Sequence, residues 1–340
     1  CFLIENTDGG NYCFTTNAGG TEYKDSKQNV VAKSGYYSSL LWEDAQGLVT
    51  NVRNDNVGKK IYFSLTEGMK GNAVIALRAR DGKIQWSWHI WVAGETVEGR
   101  TFSGVEFMDR NLGATAAVVV GKSADACGLN YEWGRKDPFP GVADFSATGS
   151  VNAKAVFPNI IKTQTSQNGQ AITWATALPY VYIWGSGSSS SAEDWCNAIP
   201  QDNNQWGNAG TSDPGNKNSK PKTIYDPCPY GYRTAGQGTF TPIVNKAKLV
   251  VRENYSVTIK DDNDKDFVIP CSGYWRRATN STTMCNVGTH CWIWTMTSSN
   301  RTFNPDGTVK DAKDYIRTEE NQDLFGAGVF QTTSKAAAVN

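Results

Sequence analysis

Eight cysteines, at positions 1, 13, 127, 196, 228, 271, 285 and 291, are the residues of this 340-residue sequence best equipped for covalent chemistry. None forms a Cys-x-x-Cys pair, the spacing that ligates zinc or runs thiol exchange, so disulfides in an oxidising compartment are the expected use. Cys285 and Cys291 bracket Asn286 to His290, a loop that a bridge would close as a staple. Cys1 and Cys13 lie in adjacent strand-like pieces around Gly9-Gly10. Cys127 with Cys196, and Cys228 with Cys271, are further candidates, and the sequence leaves the connectivity open. Only two histidines, His89 and His290, are present, which excludes a multi-His zinc centre and gives a Ser-His-Asp or Cys-His set just two bases to draw on. His290 adjoins Cys291, but neighbouring residues in a strand point to opposite faces, which argues against a working pair.

The run from Asp261 to Asp266 (DDNDKD) places Asp262, Asp264 and Asp266 at alternate positions, the way calcium loops present oxygen ligands. It lacks the sixth-position Gly and distal Glu of an EF-hand and stands between two strand-like runs, so a solvated hairpin turn is the favoured reading and calcium the alternative. Twelve tryptophans raise a carbohydrate reading, because a rigid ring with a polar edge stacks on the apolar face of a sugar. Trp174, Trp195 and Trp206, with Tyr180 and Tyr182, fall in long polar stretches and are the candidate ligand-binding residues, with packing beneath a loop as the alternative. Asp109-Arg110-Asn111 and Glu132 to Asp137 read as internal ion pairs or turn braces rather than catalytic sets.

The elements that position these residues are mainly strands with some helix. Abundant Gly and Trp with few Met is a strand-and-turn profile, and the length predicts about two domains. Lys59 to Leu65, Asn72 to Ala79 and Ile84 to Val92 are β-prone runs, the last two joined through Asp81-Gly82, a dipeptide suited to tight hairpins. In the third, Ile84, Trp86, Trp88, Ile90 and Val92 alternate with Gln85, Ser87, His89 and Trp91, which puts one set on a core and leaves His89 for surface or interdomain hydrogen bonding. An immunoglobulin-like β-sandwich over residues 1–98 is expected, ending in a linker from Ala93 to Gly99. Residues 99–340 form a second, looser domain with strand-like pieces at Gly104 to Met108, Tyr180 to Trp184, Lys248 to Ile259, Asp266 to Pro270 and Cys291 to Met296, and a helix around Leu129 to Arg135. Charges of 33 basic and 33 acidic residues balance, with no long block of either sign, which argues against nucleic acid and anionic membrane as partners. No apolar run is long enough to span a membrane.

Several strings carry a family resemblance. Gly71 to Val92, preceded by Leu41-Trp42-Glu43-Asp44 and a Cys1-Phe2 opening, resembles the β-sandwich module of fimbrillin-like, cell-adhesion surface proteins of Bacteroidetes. Phe107 to Thr115 (FMDRNLGAT), Gly128 to Gly141 (GLNYEWGRKDPFPG), Ile224 to Gly236 (IYDPCPYGYRTAG), Pro270 to Arg277 (PCSGYWRR) and Cys291 to Ser299 (CWIWTMTSS) resemble the major paralogous domain first named in Fibrobacter. That resemblance implies a C-type-lectin-like α+β fold with long loops, distantly similar to formylglycine-generating enzymes. It also implies that Cys228 pairs with a cysteine of a closing strand for which this sequence has no match, and that Cys1 is an internal strand residue rather than a lipidation site. The function it implies is a surface adhesin or fimbrial tip component of a Gram-negative bacterium, working outside the cell without a resident cofactor. Its partners would be other pilus or surface subunits and a host or microbial glycan or protein. A structural pilus subunit without a ligand, and an enzyme on the formylglycine-generating fold, are the alternatives; nothing in the sequence matches the reactive cysteine pair or metal site that such an enzyme needs.

Overall fold

The computed structural model describes residues 1–16, 34–57, 59–145, 162–166, 170–185, 195–196, 205–207, 221–247, 249–250, 253–278, 281–285, 287–289, 291 and 293–294. It is mainly β, with several separate sheets and two helices among the described residues. The first seven strands are β1 (Phe2–Ile4), β2 (Gly10–Thr15), β3 (Tyr37–Glu43), β4 (Val49–Asp55), β5 (Lys60–Leu65), β6 (Gly71–Arg78) and β7 (Ile84–Val92). They form a four-stranded sheet in the order β1-β7-β6-β3 and a three-stranded sheet in the order β2-β5-β4. β1 runs parallel to β7, whereas β6 is antiparallel to both β7 and β3.

The two sheets share one core. Ile61, Phe63 and Leu65 of β5 meet Ile75 and Leu77 of β6 and Trp88 and Ile90 of β7, so the alternation read along β7 is the alternation that packs. Each aliphatic side chain enclosed in this way contributes about 1.5–3 kcal/mol. The Asp81-Gly82 hairpin forms as its chemistry requires. Gly82 takes φ +85°, and the Ala79 amide donates to the Lys83 carbonyl at 2.9 Å.

Beyond residue 98 the elements are short: β8 (Gly99–Phe102), β9 (Val105–Met108), β10 (Asn130–Tyr131), β11 (Pro138–Phe139), β12 (Lys162–Ser166), α1 (Ile172–Ala177), β13 (Val181–Gly185), α2 (Gln237–Ala247), β14 (Ser256–Lys260), β15 (Asp266–Pro270), β16 (Tyr274–Ala278) and β17 (Ser281–Cys285). They pair in two-stranded ladders: β8-β9, β10-β11, β12-β13, β14-β15 and β16-β17. The helix expected over Leu129 to Arg135 is absent. Asn130 and Tyr131 pair with Phe139 and Pro138, and the chain then turns through Gly134 at φ +83°, outside the helical region. A helix stands instead at α2, where Phe240, Ile243, Val244 and Ala247 fall on one stripe against Phe102, Val257 and Phe267. Of the expected strand over Lys248 to Ile259, the end belongs to β14 and Glu253 to Ser256 is a turn with Asn254 and Tyr255 at positive φ, while Lys248, Val251 and Arg252 lie outside the described residues.

The downstream elements also close the outer face of the four-stranded sheet, leaving β6 and β7 buried almost throughout. Trp91 donates its indole N–H to the Ala114 carbonyl at 3.0 Å, and Asn72 donates to the Gly113 carbonyl and the Asp44 carboxylate at 2.8 Å each. His89 Nε2 lies 2.9 Å from Asn72 Oδ1. Nearby, Ser87 donates to Asp137, and the Lys136 ammonium bonds both Ser87 and Asp137 while lying 4.4 Å from the centre of the Trp86 ring.

Candidate ligand-binding site

Stretches separated in sequence converge downstream of the sandwich, held by hydrogen bonds to their own backbone or to a neighbour's. Asp226 accepts from the Cys228 and Thr234 amides, both at 2.9 Å, and so closes the loop between them. The Lys222 ammonium, from just before that loop, donates to the carbonyls of Cys228, Pro229 and Tyr232 at 2.8, 2.9 and 2.6 Å. The Trp294 indole donates to the Tyr131 carbonyl at 2.9 Å, and the Trp206 indole to the Tyr225 carbonyl at 2.9 Å. Asn111 donates to the Cys127 carbonyl at 3.1 Å, and the Leu129 amide to the Leu112 carbonyl at 2.9 Å. A buried ion pair between Arg110 and Asp109, extended to Glu95 at 2.8 Å, anchors the first stretch.

Between these stretches lies a cavity of about 350 Å³. Its apolar wall includes Phe107, Leu112, Leu129, Phe240, Ile269 and Trp294, joined by Tyr131, Trp206 and Cys228, and Glu106, Asn111, Arg233, Thr234 and Ser272 add polar groups. Tyr131 is 7% exposed, and among the described residues its buried hydroxyl has no hydrogen-bond partner. Burial pushes the Tyr131 phenol well above its ordinary pKa, helped by the neighbouring Cys228, Asp137 and Asp226. Burial, with Asp226 beside it, pushes the Cys228 thiol up in the same way. Both groups therefore hold their protons at neutral pH: Tyr131 can donate a hydrogen bond, and Cys228 is a poor nucleophile. His89 lies in the interface described above, where burial holds its imidazole well below the usual value of 6.5.

The rings expected to bind ligand are distributed differently. Tyr182 is fully buried, in edge contact with Phe139 at 5.2 Å. Trp195, 7% exposed, packs on Val181 and Ile183 and donates to the Trp133 carbonyl at 2.6 Å. Trp174 and Tyr180 are half-buried at the edge of that same cluster. Trp206, 1% exposed, belongs to a second cluster with Tyr131 and Trp133, and of the five it alone lines the cavity. Arg135 braces the region. It pairs with Glu132, donates to the Val181 carbonyl at 2.8 Å and lies over the rings of Phe139 and Trp195.

The acidic run forms the β14-β15 turn. Asp262 faces Lys246 at 3.3 Å, Asp266 faces Lys260 at 2.9 Å, and Asp264 sits at φ +62° in the turn itself. Asp261 braces the turn: burial opposes its charge, but the amides of Thr101, Lys265 and Asn263 outweigh that and bring its pKa down to about 2. Among the described residues no group of three His, Cys, Asp or Glu side chains could hold a metal ion. Cys1, Cys13, Cys127, Cys196, Cys228, Cys271 and Cys291 are thiols in this structure. Cys1 precedes β1 and Cys13 lies on β2, in opposite sheets. Cys291 has Cys271 and Cys127 as charge neighbours, which together with burial raise its pKa. The side chain of Cys285, and His290, lie outside the described residues.

Apart from Trp206, the cavity residues were missed as ligand-binding residues in the sequence, although each of the five downstream strings quoted there contributes to the wall: Phe107, Tyr131, Cys228, Ser272 and Trp294 stand one in each. Comparison of the chain with protein-family models, with curated proteins and with solved structures finds no match in any of the three.

Proposed function

We propose that the protein is a surface adhesin or fimbrial tip component of a Gram-negative bacterium, acting outside the cell and binding a glycan or protein non-covalently. In this reading residues 1–98 are an immunoglobulin-like stalk or subunit contact, and residues 99–340 a C-type-lectin-like domain that carries the recognition site. The observation that carries the proposal is the convergence of five separated strings on one cavity that is mostly apolar with a few polar groups among its lining. Pockets of that kind, mostly apolar with a few placed polar groups, serve recognition. A binding role is favoured over catalysis because the cavity offers a neutral phenol and a neutral thiol with His89 engaged elsewhere. Among the described residues no helix is long and apolar enough to cross a membrane.

The test is to screen the intact protein on glycan and matrix-protein arrays and to locate it on native filaments by immunogold microscopy. A saturable ligand together with tip placement is the expected result. Silence on both arrays, or labelling along the shaft alone, would remove the recognition role and leave a structural subunit.

A further inference from the structure

We infer that the solvent-facing side of the three-stranded sheet binds a carboxylate-bearing sugar, a uronate, through Arg53, with Asn11, Asn51 and Ser64 taking its hydroxyls. The site lies within the sandwich, shares no residue with the downstream cavity and stands apart from the recognition reading above. Arg53, Tyr62, Ser64, Asn11 and Asn51 border an open depression of about 430 Å³, within the range that ligand sites span. A bulge in β4 shapes it. Thr50 pairs with Ser64 and Arg53 with Tyr62, so Asn51 and Val52 stand against Phe63 alone, and Asn51 takes φ +54°. Bulges of this kind turn a side chain away from the regular pleat, and asparagine tolerates the left-handed backbone.

The groups along this face are set for an anionic sugar. The Arg53 guanidinium lies 4.3 Å from the centre of the Tyr62 ring, and among the described residues no carboxylate pairs with it. Asp55, two residues on, accepts instead from the Val57 amide at 2.9 Å. Stacking on the ring holds the guanidinium flat and leaves its edge donors for a bidentate carboxylate. Beside it the Asn51 amide donates to the Ser64 hydroxyl at 3.3 Å, and that hydroxyl donates to Asn11 Oδ1 at 2.7 Å. Each asparagine is thus fixed by one end, which leaves Asn11 Nδ2 as a donor and Asn51 Oδ1 as an acceptor for an outside group. Sugar hydroxyls both donate and accept, so this mixed row suits them. An acidic peptide is the weaker fit, because β5 is paired on both sides, by β2 and by β4, and offers no free edge for strand addition.

The experiment titrates methyl β-glucuronide, methyl β-glucoside and N-acetylglutamate amide into the full chain and follows each probe by ligand-observed NMR. The glucuronide is expected to bind about tenfold more tightly than the glucoside, the share of one charge-assisted pair, and to lose that preference as salt is raised. Arg53 is exposed, so Arg53→Gln should keep the melting temperature and bind the two sugars alike. Asn11→Ala removes a hydroxyl partner and leaves the guanidinium in place, so it should weaken both. Equal binding of the two sugars by the unmodified protein, or no saturable binding of either, would overturn the proposal. So would a preference that survives in Arg53→Gln, an Asn11→Ala that changes neither sugar, or a glutamate probe that matches the glucuronide. The probe comparison in the unmodified protein stands even if a variant fails to fold. A partner found on the arrays that Arg53→Gln still binds belongs to another surface, so this inference and the recognition reading fail separately.

Discussion

β6 and β7 show the protein two faces that are held by different means. On the inner face Ile75, Leu77 and Ile90 pack against Ile61 and Phe63 of the opposite sheet, a contact that depends on area and shape. On the outer face the same two strands set Asn72, itself 2.9 Å from His89, against Gly113, and Ser87 against Lys136 and Asp137, a contact that depends on paired polar groups. The inner face tolerates volume-conserving exchange, whereas the outer face loses most when one member of a network is removed. That difference makes the outer face the one that specifies how the downstream residues sit on the sheet.

The comparison can be broken from either side. Asp137→Ala leaves the Lys136 ammonium buried without its counter-ion and should cost about 3–5 kcal/mol, read as a shift in the urea midpoint at constant slope. Leu77→Ala opens a cavity in the dry core and should cost about 2–5 kcal/mol, whereas Leu77→Met should cost under about 1.5 kcal/mol. An equal loss from both Leu77 variants would mean that the inner face is not a matter of volume. Asn72→Ala strips partners from Asp44 and His89 and should cost about 1–3 kcal/mol, with faster amide exchange around Gly113 as the local signature.

Acid titration sharpens the contrast, because the polar face carries a group, His89, that responds near neutrality. The imidazole of His89 is kept well below 6.5 by burial, so the unfolded chain takes up a proton there before the folded one does. The stability that this site contributes is complete above 6.5 and drains away as the pH falls below it. The melting temperature should drop between pH 7.5 and pH 5, and His89→Gln should flatten part of that slope; an unchanged slope would remove His89 as its source. The Asp261 brace responds in a separate window: its contribution is full above the usual 3.8 and is lost as the pH falls toward 2.

The inner face was legible in the sequence because Trp86, Trp88, Ile90 and Val92 repeat at the strand period, a signal that one side of a sheet writes by itself. The outer face was not, since Asn72, Ser87 and His89 are the residues that solvent would select as well. What distinguished them was Trp91 among them, a large ring on the side read as polar, and it is fully buried. Helix α2 went unread because Pro242 stands inside it and glycines precede its apolar stripe, although Phe240, Ile243, Val244 and Ala247 carry helical spacing. The cavity illustrates a different limit. Tyr131 and Trp294 are separated by more than half the downstream sequence, and no local pattern records that their stretches share one wall.

The parallel ladder between β1 and β7 has a mechanical meaning. Phe2, Leu3 and Ile4 register with Ile90, Trp91 and Val92, so tension between the start of β1 and the end of β7 pulls the two strands past each other along their axes. All three rungs then carry load together, where an antiparallel hairpin pulled at its open end would unzip one rung at a time. Survival under force follows the unfolding rate, so this short edge strand sets a threshold for rupture, and single-molecule stretching should show it as one event lost on Leu3→Pro.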